Sequence, residues 1–453
     1  MATFTGPITT GSIVEPACVP SYDLAANGYV EHEFFASGSA SALELPSDSL
    51  AANGGNDGKW AARAVETAPF CVRVVVRRPS RASAFSGTVL VEWFNESSGF
   101  DADPDWAYLH EEILRAGHAY AGVSAQALGI MGGPGIMGFP GPFPGLRASS
   151  PDRYGALDHP GDKFAFDIFG QVGRALHGDG SAPAPALGGL APHRVLAMGE
   201  SQSAHFLTSF VNAVQPLAPA FDGFLVHSRG AGAAPLTGAG MEPGVEYSDG
   251  VRIRTDTAVP VMVVEAEGDL VGRLRFWLAR QQDSDWYRLW EVAGTAHADA
   301  YLLGPVAALL GCDWQINSGP HRFVAQAALH ALDTWVRDGT PPPRADRIQL
   351  TSVDPATIAR DGHGIALGGV RTPAVDVPVA VHSGEGPAGA APGFLVGATT
   401  PLPPEALLRL YGDRAGYLSA FTASLDAAIA AGFLLPAHRV QLLAEADAVS
   451  FPA

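Results

Sequence analysis

The chain has 453 residues, 47% of them hydrophobic, which is ample for a large buried core. Its 28 Lys and Arg face 46 Asp and Glu, a formal net charge of −18, and that field argues against nucleic acid and anionic membrane surfaces as partners. No apolar run is long enough to span a bilayer, and Cys18, Cys71 and Cys312 form no C-x-x-C pair, which excludes a zinc knuckle or a redox dithiol.

An odd number of widely spaced cysteines in a long chain reads as reduced, buried thiols, although one disulfide is compatible. The opening MATFTGPITTG has neither a basic n-region nor an apolar h-region, so the expected location is cytoplasmic. A leader trimmed beforehand would leave the same start. With 53 Gly and 36 Pro the chain is rich in turns.

Residues 30–45 alternate loosely as a strand, and 70–80 do so more cleanly, with Val72, Val74 and Val76 on one side. The apolar run 88–95 is a stronger strand. The period then changes. Trp106, Leu109, Ile113 and Leu114 recur at helical spacing over 104–118, with Pro104 in the first turn, Asp103 as the cap and Gly117 as the stop. Residues 119–125 are the next buried strand.

The stretch 127–150, ALGIMGGPGIMGFPGPFPGLRASS, is different. Glycine and proline forbid long regular structure, yet Met131, Met137 and Phe139 are among its many apolar side chains. Such a loop covers something, either the protein's own body or a substrate. Helix 163–178, strand 194–198, helix 201–214 and strands 221–228, 259–266 and 286–294 follow, with a short helix at 274–279. A long amphipathic helix, 321–339, closes at Gly339 before a proline run. Strands alternating with helices mean a mainly parallel sheet flanked by helices on both faces, compatible with an antiparallel lead-in. Beyond about residue 345 lies a tail with a few β-like segments and a helical stretch at 406–436. The expected organisation is therefore a core of 1–344, with a lid-like loop near 127–162, and a C-terminal extension of 345–453.

The chemistry centres on RVLAMGESQSAHF, residues 194–206. A buried strand gives way to a helix at Ser201, the context of a nucleophile elbow, G-x-S-x-G, except that Ser203 stands in the second glycine's place. A serine hydroxyl needs a base before it can attack. In such folds an acid and then a histidine follow the serine, each on a loop after a later strand. Strand 259–266 runs into Glu267 and Asp269, and strand 286–294 runs into His297. Asp269 lies where a strand-G-x-x-D pattern places the carboxylate, with Ala266 in the glycine slot. Glu267 is two residues nearer the strand. The pattern leans to Asp269 and leaves both open. An oxyanion hole needs two donors, expected to be the Gln202 N–H and an N–H of Asn95 or Glu96 in the loop after strand 88–95. Gln126, ending a strand at the same sheet edge, is a further pocket candidate, its plainer role being to close that strand.

GESQSA, WEVAGTAHADAY, GVSAQ, YGALDHPGDKFAFDIF and GGVRTPAVDVP resemble a large bacterial and fungal family known only as "alpha/beta hydrolase domain" proteins. The resemblance runs from about Gly87 to the C-terminus. It implies an α/β-hydrolase fold and esterase-type chemistry, and it makes Ser203 normal at its position. It does not choose between Glu267 and Asp269, and it fixes no substrate.

Other signals are weaker. Asp101, Asp103, Asp105 and Glu112 have calcium-loop spacing, but Trp106 replaces the required glycine. GAGAAP lacks the third glycine of a dinucleotide fingerprint, and no second histidine stands at helical spacing from His297 for a metal. The resulting expectation is a serine carboxylesterase acting on hydrophobic or aromatic carboxylic esters through an acyl-enzyme on Ser201, with no cofactor and no metal. An acyltransferase, amidase or lactonase using the same triad, or a non-catalytic binder of a small apolar ligand, remains compatible, as does a homo-oligomer.

Overall fold

The structure is a computed structural model that describes residues 1–18, 22–45, 56–135, 143–178, 184–238, 250–390 and 392–451. The chain forms two compact units. The first comprises Met1–Val261, Leu278–Tyr287 and Val336–Gly339, and the second Met262–Trp277, Arg288–Trp335 and Thr340–Ala453.

Seven strands of the first unit follow one another in the sheet in the order β1-β2-β3-β5-β4-β6-β7. They are β1 (Thr3–Thr5), β2 (Tyr29–Glu44), β3 (Arg63–Pro79), β4 (Thr88–Trp93), β5 (Ala119–Val123), β6 (Arg194–Glu200) and β7 (Gly223–His227). The pairings from β1 to β5 are antiparallel. From β5 through β4 and β6 to β7 they are parallel, with Val91 opposite both Ala121 and Ala197. Every residue of β4, β5 and β7 is buried, as expected of strands covered on both faces.

Helix α1 (Pro104–Ala116) starts at proline and stops at Gly117, whose φ of 74° takes the left-handed stop that the sequence suggests. Asp103 occupies the cap position without capping. Its carboxylate instead accepts a hydrogen bond from the buried Arg77, 2.8 Å away. An unpaired guanidinium there would cost more than a lost cap, and Asp103 answers that demand. Glu92 of β4 substitutes: its two carboxylate oxygens accept from the N–H groups of Asp105 and Trp106, each at 2.9 Å, and Tyr120 donates to it at 2.8 Å. The other acids of the calcium-like run also turn to separate partners, Asp101 to Arg73 (2.6 Å) and Asp105 to His227 (2.7 Å).

The 127–150 segment is more regular than its composition suggests. It contains α2 (Ala127–Met131) and α3 (Gly145–Ser149), with α4 (Pro151–Tyr154) just beyond. Gly145 has φ +65°, and a Cβ on it would fall 2.3 Å from the Gly132 nitrogen, so the glycines that argued against helix permit short helices to turn tightly on each other. Met137 and Phe139 lie outside the described residues.

Helix α5 (Ala165–His177) packs on β2, β4 and β6, and α6 (Gln202–Ser209) on β6 and β7. The expected helix 201–214 is not uniform, since Phe210–Val214 is a π-helical turn. Trp93 joins these layers. Its ring lies 4.7 Å from Phe169 of α5 and 5.0 Å from Phe206 of α6. The three cysteines are free and half-buried.

The second unit carries nearly all of β8 (Val261–Ala266) and β9 (Tyr287–Val292), the short α7 (Ala300–Leu303) and most of α8 (His321–Asp338). Its remaining elements are β10 (Leu350–Val353) paired with β11 (Ala356–Ile358), α9 (Pro373–Asp376), β12 (Ala380–Ser383), α10 (Gly393–Val396), β13 (Ala398–Pro401), α11 (Pro404–Tyr411), α12 (Arg414–Ala430) and α13 (Arg439–Asp447). Strands β12 and β13 pair. The helical stretch 406–436 is thus broken, at Gly412, whose φ is +76°. The helix expected at 274–279 is one 3₁₀ turn, Phe276–Ala279.

Arg73 is fully buried and holds Asp101 at 2.6 Å, Glu33 at 3.2 Å and the Val14 carbonyl at 2.5 Å. Replacing it with Met strands Asp101 without its guanidinium. Arg73→Met is expected to lower the unfolding free energy by about 3–5 kcal/mol, read from denaturant midpoints.

Candidate active site

Each unit carries part of the chemistry that the sequence singles out. In the first, Ser201 stands between β6 and α6 with φ 58° and ψ −116°. A non-glycine residue in that region costs on the order of 1–3 kcal/mol, and it persists only where its surroundings over-determine it. Several contacts do so. The Ser201 N–H donates to the His227 carbonyl of β7 at 2.9 Å, continuing the sheet through the turn. The His227 ring is fixed in turn by Asp105. The Asn95 side-chain amide donates to the Glu200 carbonyl at 3.1 Å. The helix begins at once: the Ser201 carbonyl accepts from His205 N–H at 3.2 Å.

Serine at 203 is accommodated by a glycine on the other side. A Cβ on Gly199 would lie 2.9 Å from the Ser203 Cβ and 3.1 Å from Leu207 Cδ1. Strand and helix approach so closely that only one of the two positions can carry a side chain. Gly199 yields, and Ser203, inside α6 with ordinary helical backbone, has no need of glycine.

Gln202 opens α6, so its N–H is one of the first-turn donors without a partner inside the helix. The other two oxyanion candidates are engaged. The Asn95 N–H donates to the Ala102 carbonyl at 2.8 Å, within a two-way bridge. The Glu96 N–H donates to the Gln202 side-chain oxygen at 2.8 Å. The Glu96 carboxyl is fully buried with neither oxygen conventionally hydrogen-bonded. Burial, and then the charges of Asp101 and Asp162, push it well above the usual carboxylate range.

Gln126 is buried and, rather than closing a strand, stands three residues beyond the end of β5, at the cap position of α2. It accepts from the Trp93 indole at 3.1 Å and reaches Asp162 at 3.4 Å. Asp162 also accepts from the Ala127 N–H at 2.7 Å, and His159 bonds the Ala125 carbonyl at 2.9 Å, so the two ends of the 127–162 segment are tied together. Met131 is 48% exposed, while Ile130 beside it is buried.

In the second unit His297 and Asp269 meet. His297 Nδ1 is 2.6 Å from Asp269 Oδ1, with both side chains buried. The other Asp269 oxygen accepts from the Ala266 N–H at 2.6 Å, which fixes the carboxylate at the end of β8. Glu267 faces elsewhere. It accepts from the N–H of Gly294 at 2.7 Å, the N–H of Gly384 at 3.0 Å and Arg360 at 2.8 Å. Thr295 and Asn317 add to this frame, the first accepting from the Glu267 N–H at 3.3 Å and the second donating to the carbonyls of Gly294 (3.1 Å) and Ser383 (2.9 Å). The loop bearing His297 is therefore shaped by residues 360–384, which the sequence suggests only as a tail. Arg360 carries no sequence signal of its own, since it sits in no catalytic motif.

The sequence matches the family model described as "Alpha/beta hydrolase domain" over residues 4–444. No curated protein matches it. Among solved structures it is similar to an α/β serine hydrolase without lid from Xanthomonas campestris, at 11% identity over 57% of this chain and 88% of that one, TM-score 0.32. It is also similar to a bacterial heroin esterase, at 12% identity over 69% and 86%, TM-score 0.33. A third similarity is to fungal esterases from Rhizomucor miehei, at 10% over 60% and 82%, TM-score 0.34.

Two outcomes follow from this geometry. Glycine relieves the backbone cost at position 201, so Ser201→Gly is expected to be more stable than Ser201→Ala by about 1 kcal/mol in denaturant unfolding. Because the Glu96 carboxyl is raised in the folded state, the folded protein holds a proton that the unfolded chain releases, and stability falls as pH rises above the ordinary carboxylate range. Glu96→Gln removes that loss, so its denaturant midpoint should gain on the parent between pH 5 and pH 8.

Proposed function

The chain belongs to the alpha/beta hydrolase domain family, and from that premise we propose that it is a serine carboxylesterase in which Ser201, His297 and Asp269 act together. The observation that carries this reading is the backbone of Ser201, a serine held at φ 58° on the turn between a buried parallel strand and a helix. Strain of this kind is maintained where a side chain must be presented for chemistry. The buried His297–Asp269 pair supports it, because a carboxylate on Nδ1 leaves Nε2 as the base.

In the proposed reaction the Ser201 Oγ attacks the ester carbonyl while His297 Nε2 takes its proton. The tetrahedral intermediate collapses and the alcohol leaves with that proton. Water then attacks the acyl-enzyme, giving its proton to His297, and the carboxylic acid departs as Ser201 regains its hydrogen. Asp269 holds the imidazole tautomer and stabilises the imidazolium. The Gln202 N–H is one oxyanion donor. The Glu96 N–H is the second, and the Gln202 side-chain oxygen that it now binds stands in for a substrate oxygen until the ester displaces it. Glu267 is a structural carboxylate in this reading. No step calls for a cofactor. The apolar residues of 127–150, with Phe143 packed edge-on against Phe100 at 4.8 Å, favour hydrophobic or aromatic esters over charged ones.

Residues that act as one catalytic unit are non-additive. Ser201→Ala and His297→Ala are each expected to abolish ester hydrolysis to the same extent as the double variant, and a fluorophosphonate should label the parent and not Ser201→Ala. Asp269→Asn is expected to lower kcat by about 10⁴-fold. Losses that multiply in the double variant, or turnover lost in Glu267→Gln but kept in Asp269→Asn, would overturn the assignment. Product analysis with a competing alcohol or amine separates hydrolysis from acyl transfer.

A further inference from the structure

The second unit carries a half-open pocket of about 300 Å³ that is lined by neither His297 nor Asp269. It lies among α8, α9, α12 and α13. Phe323, Tyr417 and Phe421 supply aromatic wall, and Leu434, Leu442 and Val449 aliphatic wall. A pocket of this volume falls at the lower end of small-molecule sites.

Its polar groups are few. Thr372 stands at the cap position of α9, where a threonine hydroxyl ordinarily accepts from the helix's first N–H groups. Here it makes no such bond. Thr372 is 1% exposed, lines the cavity, and its Oγ1 has no hydrogen-bond partner among the described residues. A buried hydroxyl left unpaired is costly, and the cost is removed when a ligand atom supplies the partner. His382 is the second polar group. Burial lowers its imidazole to about 4, so it is neutral, and Thr399 holds its Nδ1 at 3.1 Å. At the rim, Arg322 lies over the Tyr301 and Phe323 rings at 4.2 and 4.4 Å and pairs with Glu445 at 3.3 Å. Its charge is therefore balanced locally, and neither sign of ligand is favoured.

We propose that this cavity is a second binding site, separate from the serine chemistry, for a small uncharged molecule with an aromatic or branched aliphatic body and one hydroxyl or carbonyl group. The body fills the walls, and the single polar group meets the Thr372 hydroxyl. A carboxylate would face Glu445, and an ammonium would face Arg322.

The probe is 2-naphthol, tested by equilibrium dialysis against full-length Ser201→Ala protein, so that the result does not depend on esterase activity. The expected result is saturable one-to-one binding, weakened about fivefold by Thr372→Val, which deletes one hydrogen bond. Ala374→Phe, which fills the cavity, is expected to abolish it, and a circular-dichroism melt of each variant reports folding. 2-Naphthoate and 2-naphthylmethylammonium should bind at least tenfold more weakly. Absence of saturable binding, binding unchanged in both cavity variants, or equal binding of the charged analogues would overturn the proposal. So would binding to wild-type protein that is lost when a fluorophosphonate blocks the active serine.

Discussion

The backbone of Ser201 sets the terms for the first unit. A residue with φ 58° at the end of a parallel strand has to be held from several sides, and the molecule supplies each hold from a different element. β7 gives a carbonyl to its N–H, the loop after β4 gives the Asn95 amide to its neighbour's carbonyl, and α6 begins without an intervening residue. The helix can begin so abruptly because Gly199 lets it press onto the strand. The aromatic contacts of Trp93 with Phe169 and Phe206 then fix α5 and α6 against β4, so the strain is anchored in the core rather than in the turn alone.

Buried charge is the second organising constraint. Arg73 and Arg77 sit fully inside the first unit, and each takes a carboxylate from the run 101–105. That demand explains why acids at calcium-like spacing disperse to separate partners and why Asp103 abandons the helix it precedes. Glu92 then completes the helix start from the sheet side. Glu96 is the exception. It is buried near Asp101 and Asp162, its oxygens have no conventional hydrogen-bond partner among the described residues, and it is held well above its normal range. Such a group is cheapest to keep as a neutral acid.

Local pattern revealed a good deal here. The strand–turn–helix at 194–206 and the proline start and glycine stop of α1 follow from short-range rules, and the structure has them; the antiparallel lead-in, with which the pattern is only compatible, is present as well. In the 127–150 segment glycine and proline exclude long regular structure, and the helices described there are only five residues each, but composition does not report how they pack. Gly132 and Gly145 are adjacent in space, which no local pattern records. The Asn95 N–H shows the same limit: it donates to Ala102, seven residues ahead, across a bridge that only the folded loop creates.

Glu267 and Asp269 show where sequence reasoning stops. Both are carboxylates at the end of one buried strand, and both are fully buried. What separates them is their partners. Asp269 has a histidine and one amide of its own turn. Glu267 has two amides from distant loops and a guanidinium from residue 360. A carboxylate that already accepts three hydrogen bonds has little reason to meet an imidazole. It is instead well placed to hold the 294–297 loop against the segment at 384. This difference in partners rests on where Arg360 and Gly384 fold back, so the C-terminal third of the chain, and not the strand end that both acids share, sets what each carboxylate meets.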